Sequence, residues 1–515
     1  MTNVDRRNFL RRAALSGGAV LAPSLAGLAA CNTDEIAGPT ADPDLHRFKR
    51  IPHAKKGYGG YGELAVSEDC PQILVPEGFR CVVLSQSGTP SHADPNFQVP
   101  VALDGMASFN LNRDRIRLVR NHEVRDGAGG APALSGNAYD DLAPAGTTTL
   151  EVRIRRERRM KFYATSYQGH NGRGRGRGRR DNEIETVETV KEFVSLSGTS
   201  TNCAGGPTPW GSWLTCEETT VGTSQGFGKA HGYVFEVPAH RDGPVDPVPI
   251  NDMGRFIHEA VAVDPHTGFV YLTEDRSFNG ANFVGSGLFR FIPKHPRRYE
   301  RGGRLQVLAV KGQDNYNTTV GQTPGKILPV YWVDIEEPDP AAAETDTSAV
   351  FKEGLDKGAA IFQRLEGCWY GDGSVFFNAT SGGDAEMGQV WQYRPWGGRG
   401  RQLHGEVAGT LSLVFESPGE DVLEAPDNIA VSPRGGIVLC EDGGGIQFIR
   451  GLTQRGEIFD LVQTNGNSPE FAGATFSDDG DVLFFNIQGT TSANASDLTT
   501  GYTFAMWGPW EEGAL

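Results

Sequence analysis

The stretch TNCAGGPTPWGSWLTCEE, residues 201–218, sets two cysteines, two tryptophans and two adjacent glutamates around a glycine-rich turn. Acids also follow short apolar runs elsewhere: Glu123 in NHE, Glu274 and Asp275 in YLTEDR, and Glu441 and Asp442 in LCEDGG, while Glu259 opens HEAVAVD. If the elements between them converge, Glu123, Glu217, Glu218, Glu259, Glu274, Asp275, Glu441 and Asp442 share one region. Carboxylates that close stay ionised only with cations among them. Oxygen ligands in such number point to Ca2+ or another hard cation, and one thiolate among them adds a transition metal. The competing readings are solvated turn acids and, for Cys203, a small buried hydrophobe or half of a disulfide with Cys216. His258-Glu259 and His122-Glu123 lack the second histidine of HExxH, so a zinc protease is not supported. Without CxxC spacing, a structural zinc site is not supported either. Arg364 stands two residues before Glu366 in FQRLEGCWY, on the same face of a strand. That pair is either a fork for phosphate or carboxylate, or a surface salt bridge.

These residues need elements that carry them to one place. A turn rich in Asp, Gly or Pro, then four or five apolar residues, then acids or amides, recurs in NRDRIRLVRNHE, TPWGSWLTCEE, DPHTGFVYLTEDR, YGDGSVFFNATS, SPRGGIVLCEDGGG and SDDGDVLFFNIQG. The copies end near Glu123, Glu217, Glu274, Asn378, Glu441 and Asn486, at intervals of about 45 to 105 residues. Each run has strand length and composition, and FVYL or VLFF is apolar on both faces. Further short strands, such as YVFEV, LFRFI, QVWQY and IQFIR, complete four-stranded blades. The pattern predicts an all-β chain, a six-bladed β-propeller with loop insertions, in which each repeated run is the innermost strand of a blade. Inner strands run the same way along the channel, so their acids meet at one mouth. Trp213 and Cys216 are expected to pack within a blade.

The first 31 residues read as an address. Arg6-Arg7-Asn8-Phe9-Leu10 resembles a twin-arginine export signal, and Leu28-Ala29-Ala30-Cys31 a lipobox in which Cys31 is acylated and anchors the chain. Residues 32–60 read as a linker, and 61–515 as one propeller domain. The expected location is periplasmic or membrane-anchored. Of the 515 residues, 64 are acidic and 48 basic, a net charge of −16, which disfavours nucleic acid and anionic lipid as partners. The Arg-Gly loop at 171–183 and the segment 335–350 read as solvated surface insertions. In an oxidising compartment Cys70 and Cys81 are close enough in sequence to staple the leading segment.

The string SGTSTNCAGGPTPWGSWLTCEE, with NHE upstream and GRFIHEAVAVDPHTGFVYLTEDR, RLEG, APDNIAVSP and FAGATFS downstream, resembles the PhoX-type alkaline phosphatases from about residue 75 to 490. The resemblance implies a twin-arginine-exported, mostly monomeric six-bladed propeller. It also implies a phosphomonoesterase that combines ferric iron, Fe3+, with several Ca2+ ions. Carried onto this chain, it makes Cys203 an iron ligand and Glu274 and Glu366 carboxylate ligands of the same cluster. Glu123, Glu217, Glu259 and Glu441 follow as further metal ligands. Arg364 binds substrate phosphate, and Asp427 and Asn428 of PDN line the site. The chain has Arg364-Leu365-Glu366 where the family pattern has Arg-Pro-Glu, and it is shorter than well-known members. Two other readings use the same acid ring: a calcium-dependent lactonase or diesterase propeller, and a calcium-stabilised lipoprotein without catalysis. The absence of a GxSxG elbow leaves no serine nucleophile of the α/β-hydrolase kind.

Overall fold

The computed structural model describes residues 60–515 apart from 162–178, 281–283, 397–406 and 497. The export signal, Cys31, the linker and most of the Arg-Gly loop lie outside the described residues. What is described is mostly antiparallel β-sheet, arranged as units that each begin with a short strand and continue outward. The leading strands are Leu103–Asn110, Asn202–Pro207, His258–Val263, Leu365–Gly371, Pro426–Val431 and Phe471–Phe476. Each packs against the next, and the sixth returns to the first, closing a propeller-like ring. Leading strands three and four belong to one nine-stranded sheet, joined through the pairing of Ile327–Asp334 with Gly409–Glu416.

The repeated apolar runs form the second strand of each unit, not the innermost: Arg115–His122, Ser212–Glu217, Val270–Glu274, Ser374–Ala379, Ile437–Glu441 and Val482–Ile487. The physical reason is burial. A second strand is covered on both faces by neighbouring units, which demands continuous apolar residues, whereas the leading strands must let backbones approach closely. A Cβ on Gly105 would sit 2.6 Å from Ala204 Cα, and one on Gly367 would sit 2.6 Å from the Asp427 carbonyl oxygen. Glycine is therefore required at both places.

Every leading strand carries a register shift at the same point, after Leu103, Asn202, His258, Leu365, Pro426 and Ala472. A bulge of this kind re-aims a side chain and bends the strand. The first bulged residues are Asp104, Cys203, Glu259, Glu366, Asp427 and Gly473. In four units the residue two positions earlier holds a left-handed backbone: Ala102, Thr201, Arg364 and Ala425, with φ of 57°, 50°, 47° and 44°. Non-glycine residues in that region are strained and persist where the surroundings hold them.

The chain closes on itself near its ends. Arg80–Gln86 pairs with Tyr502–Trp507 and completes the sixth unit, while Ile73–Pro76 adds to the fifth through Ile458–Thr464. Segment 335–350 is not merely a surface insertion. It forms a 3-10 turn at Ala341–Glu344 and starts the helix Ala349–Asp356, whose Val350 and Phe351 are buried in the core.

Candidate metal centre

Because the bulges fall at equivalent positions, the ionisable residues of five leading strands converge. Cys203 Sγ donates to Glu259 Oε1 at 3.1 Å. Ligand atoms fall into three tight groups: Asp104 with Glu123 and Cys203, Cys203 with Glu259 and Asp427, and Asp427 with Asp442 and Glu470, each spanning no more than 4.8 Å. The groups are chained, since Cys203 belongs to the first two and Asp427 to the last two.

Side chains from the second strands fix this layer. Asn121 Nδ2 donates to the carbonyls of Cys203 and Ala204 at 2.9 and 2.7 Å. Thr273 Oγ1 donates to the Glu366 carbonyl at 2.5 Å, Asn378 to that of Asp427 at 2.8 Å, and Asn486 to that of Asp104 at 2.6 Å. Each bond crosses from one unit to the next, so the ligand-bearing backbone is held by its neighbour. Amides near Asn378 and Asn486, where two repeats end, position ligands rather than act as ligands. Asn428 lies beside the cluster, its Nδ2 donating to Asp427 Oδ1 at 2.5 Å, and it also ties units five and six, its Oδ1 accepting from Gly473 N at 2.7 Å.

Burial grades across the site. Asp104, Glu123, Cys203, Glu259 and Glu366 are buried, Asp275, Glu218, Glu470 and Arg364 are half-buried, and Asp442 and Arg125 are exposed. The small residues beyond the bulged ligands, among them Gly105, Ala204, Ala260 and Gly367, leave a void of only about 10 Å³. That is at most one water. A separate hollow of about 260 Å³ is lined by Asn110–Ile116 with Ile154, Arg156 and Asp479, at the other end of the first leading strand, and touches none of these ligands.

Two guanidiniums stand among the carboxylates. Arg364 gives Nε and Nη2 to Asp275 at 2.9 and 3.0 Å, and Nη2 also to Glu366 at 2.7 Å. Arg125 pairs with Glu123 and, at 3.0 Å, with Glu218. The balance is strongly negative, and the carboxyls respond. Burial, then the neighbouring Asp104, raise Glu123 to about 8 despite Arg125. Burial and Asp427 raise Asp442 to about 7. Burial together with like charge holds Asp104, Glu218, Glu259, Glu366 and Glu470 well above the carboxylate range, and burial holds Cys203 above the thiol range.

The donor set fits cations. Glu259 Oε2 is buried with no hydrogen-bond partner among the described residues. An uncompensated buried carboxylate oxygen is costly unless a cation or proton meets it. Asp427, Asp442 and Glu470 offer only oxygen, the chemistry of a hard cation, while the two groups sharing Cys203 add sulfur, the chemistry of a transition metal.

Not every expected residue faces this centre. Glu217 accepts from Ser200 N, His231 Nδ1, Gly232 N and Tyr233 N at 2.6 to 3.0 Å, and Glu218 occupies the mouth instead. Glu441 is held by Arg450 Nε at 2.7 Å and by Glu424 N, and the next residue, Asp442, joins the cluster. Glu274 accepts from Gly287 N at 3.2 Å outside all three groups, while Asp275 clamps Arg364. In all three pairs the first acid closes a strand and the second faces the mouth, the one-residue alternation of strand side chains. Asp104, Glu470 and Arg125 were not anticipated. A detectable signal existed: an ionisable residue followed by a small one in LDGMA, NCAGG, HEAVA and LEGCW.

Glu217 has a different consequence. His231 is buried between it and Asp140, whose Oδ2 is 3.4 Å from Nε2. Burial pulls the imidazole down, but the two carboxylates hold it above the usual range. A histidine raised in the folded state stabilises below its unfolded value near 6.5 and loses that contribution as pH rises through the folded value. His231→Gln is therefore expected to lower the unfolding midpoint at pH values below about 6.5, with the gap to wild type narrowing toward alkaline pH. Thermal unfolding across pH checks this, and an equal gap at every pH contradicts it.

A propeller-like β-sheet protein whose strand ends gather carboxylates and a thiol offers a set of donors suited to metal ions. The family described as alkaline phosphatase PhoX matches residues 59–490, and the chain belongs to it. It is thus a phosphatase of that family. Its fold is similar to that of Pseudomonas fluorescens PhoX in complex with vanadate, a transition state analogue. The TM-score is 0.59 at 19% identity, over 89% of this chain and 99% of that one. A luciferin-regenerating enzyme gives a TM-score of 0.25 at 11% identity, over 59% of this chain and 91% of that one. No curated protein matches the sequence.

Proposed function

We propose that the chain is a six-bladed propeller phosphatase that hydrolyses phosphate monoesters at an iron and calcium cluster in its channel mouth. The observation that carries this reading is the chain of three ligand groups linked through Cys203 and Asp427, beside an arginine already oriented by two carboxylates. Asp104, Glu123, Cys203 and Glu259 would hold iron, and Asp427, Asp442 and Glu470 would hold calcium. Bound there, the cations neutralise phosphate oxygens and acidify coordinated water.

The chain's own groups supply orientation. Arg364 spends Nε and Nη2 on Asp275 and Glu366, and Nη1 has no hydrogen-bond partner among the described residues. That atom is free to donate to a phosphate oxygen from a guanidinium that needs no reorganisation. Arg125, on the exposed rim between Glu123 and Glu218, is the second cation available to the substrate. The proposed setting follows the sequence: export by the twin-arginine route as a monomer, with a lipid anchor at Cys31.

Elemental analysis paired with a p-nitrophenyl phosphate assay on natively exported protein tests the reading. Iron with calcium and phosphatase turnover is the expected result. Calcium without iron, with turnover of lactones or diesters instead, overturns it. In the same assay Arg364→Ala is expected to lower kcat/KM by on the order of 10²-fold. Asp275→Asn should have a smaller effect, expressed mainly in KM, because it releases the guanidinium without removing it. Equal losses in both variants contradict these roles.

A further inference from the structure

The seam where the chain closes holds a pair of thiols that the phosphatase site does not use. Cys70 lies in the turn between strands Leu64–Val66 and Ile73–Pro76, where its carbonyl accepts from Ile73 N at 3.1 Å. Cys81 is the second residue of Arg80–Gln86 and pairs with Met506 of the last strand. Ser67 Oγ joins them, lying 3.1 Å from Cys81 Sγ and accepting from Cys70 N at 3.2 Å. Both cysteines are buried in one apolar cluster.

Their place in the ring gives the pair a role. Cys70 lies in the segment that extends the fifth unit, and Cys81 in the strand that completes the sixth. The first described residues meet the last ones there: Tyr61 Oη donates to the carbonyls of Trp510 and Leu515 at 3.2 Å and accepts from Leu515 N at 2.9 Å. Non-covalent contacts alone otherwise hold this seam.

We infer that Cys70 and Cys81 are a redox site that forms a reversible disulfide by exchange with a small-molecule or protein disulfide, locking the closing seam of the ring. The Cys81 thiolate attacks one sulfur of the oxidant, giving a mixed disulfide and releasing one thiolate. The Cys70 thiolate then attacks Cys81 sulfur and expels the second. The protein loses two protons and two electrons, and the oxidant is reduced to two thiols. Cys81 is the better first nucleophile, because the Cys70 thiol and Ser67 hydroxyl facing its sulfur hold it below the usual thiol range against burial. Both thiols lie beneath a short sheet edge, the three-residue strand Leu64–Val66 with Ala65 and Val66 exposed, which has to lift for the oxidant to enter. Once closed, the bond restricts the unfolded chain and fastens the two units. Cys203, Cys216 and Cys368 lie in other apolar clusters, while Cys440, on Ile437–Glu441, shares the cluster of this pair.

The test uses the full chain, equilibrated in oxidised glutathione or in a phosphine reductant, then denatured and labelled with a maleimide. The oxidised protein should take up two fewer labels, and its digest should contain a peptide linked Cys70 to Cys81. Reduction should lower the unfolding midpoint by several degrees. Cys70→Ser and Cys81→Ser should each abolish both the label difference and the effect of reductant on the midpoint. The wild-type mass comparison stands even if a variant fails to fold. Equal labelling in the two buffers, or a link through any other cysteine, overturns the inference.

Discussion

On the proposed reading, Cys203→Ser is expected to strip the transition metal from the purified protein and to lower phosphatase turnover by on the order of 10³-fold, with the sheet framework intact. Cys203 belongs to two of the three ligand groups, so its loss breaks the chain at its middle. A serine hydroxyl fits the same space and can still donate to Glu259, whose Oε1 now receives the thiol at 3.1 Å. It differs in chemistry: the hydroxyl is a poor ligand for a soft or borderline metal and does not ionise as a thiol does. The backbone at this point is fixed from the neighbouring unit by Asn121, which the substitution leaves untouched. Metal content, turnover and the unfolding midpoint, measured together, check it. Retained iron with normal turnover sinks the assignment, and loss of the fold moves the test to Asp427→Asn, which interrupts the chain at its other shared residue.

Removing the cations is expected to make stability fall as pH rises. Glu123 is raised to about 8 and Asp442 to about 7, with several neighbours held well above their ordinary values by burial and by each other. Without cations the folded state then binds more protons than the unfolded chain between about pH 4.5 and 8. Stability is therefore present below the ordinary carboxylate value and declines through that window, by at most about 1.4 kcal/mol per pH unit for a buried carboxylate such as Glu123 and by less for the exposed Asp442, which solvent screens. Arg125 and Arg364 offset part of the charge. Cations that neutralise the cluster remove the slope. The check is the unfolding midpoint from pH 5 to 9, with and without exhaustive chelation. A flat profile after chelation would mean that the carboxylates are already compensated by the chain.

How far the sequence reached follows the same physics. The apolar runs announced strands because a strand covered on both faces must be apolar throughout. The leading strands stayed hidden, since DGMA, CAGG and EGC carry the glycines and acids that strand preference disfavours. Their content is set by close backbone approach and by bulges, neither of which leaves a hydrophobic period. Cys203, Glu259, Glu366, Asp427 and Arg364 were legible as members of one region, and the structure brings them together. The choice between Glu217 and Glu218, or Glu441 and Asp442, was not legible. Parity at a strand end depends on where the bulge sits, and His231 and Arg450 had to be seen to show where the inward-turned acids go. Asp104 escaped because the run LDGMASFN looks like neither a strand nor a site.

The common bulge separates framework from chemistry. Five units place Asp, Cys, Glu, Glu and Asp at one geometric position, and the sixth places Gly473 there, with φ of 62° and a neighbouring carbonyl 2.5 Å from where a side chain would begin. The units are thus equivalent sockets, four of the five donors standing on a backbone clamped from the neighbouring unit, with the sixth socket closed and a carboxylate supplied by Glu470 just before its strand. A single substitution at such a socket changes the donor presented to the mouth without repacking a sheet.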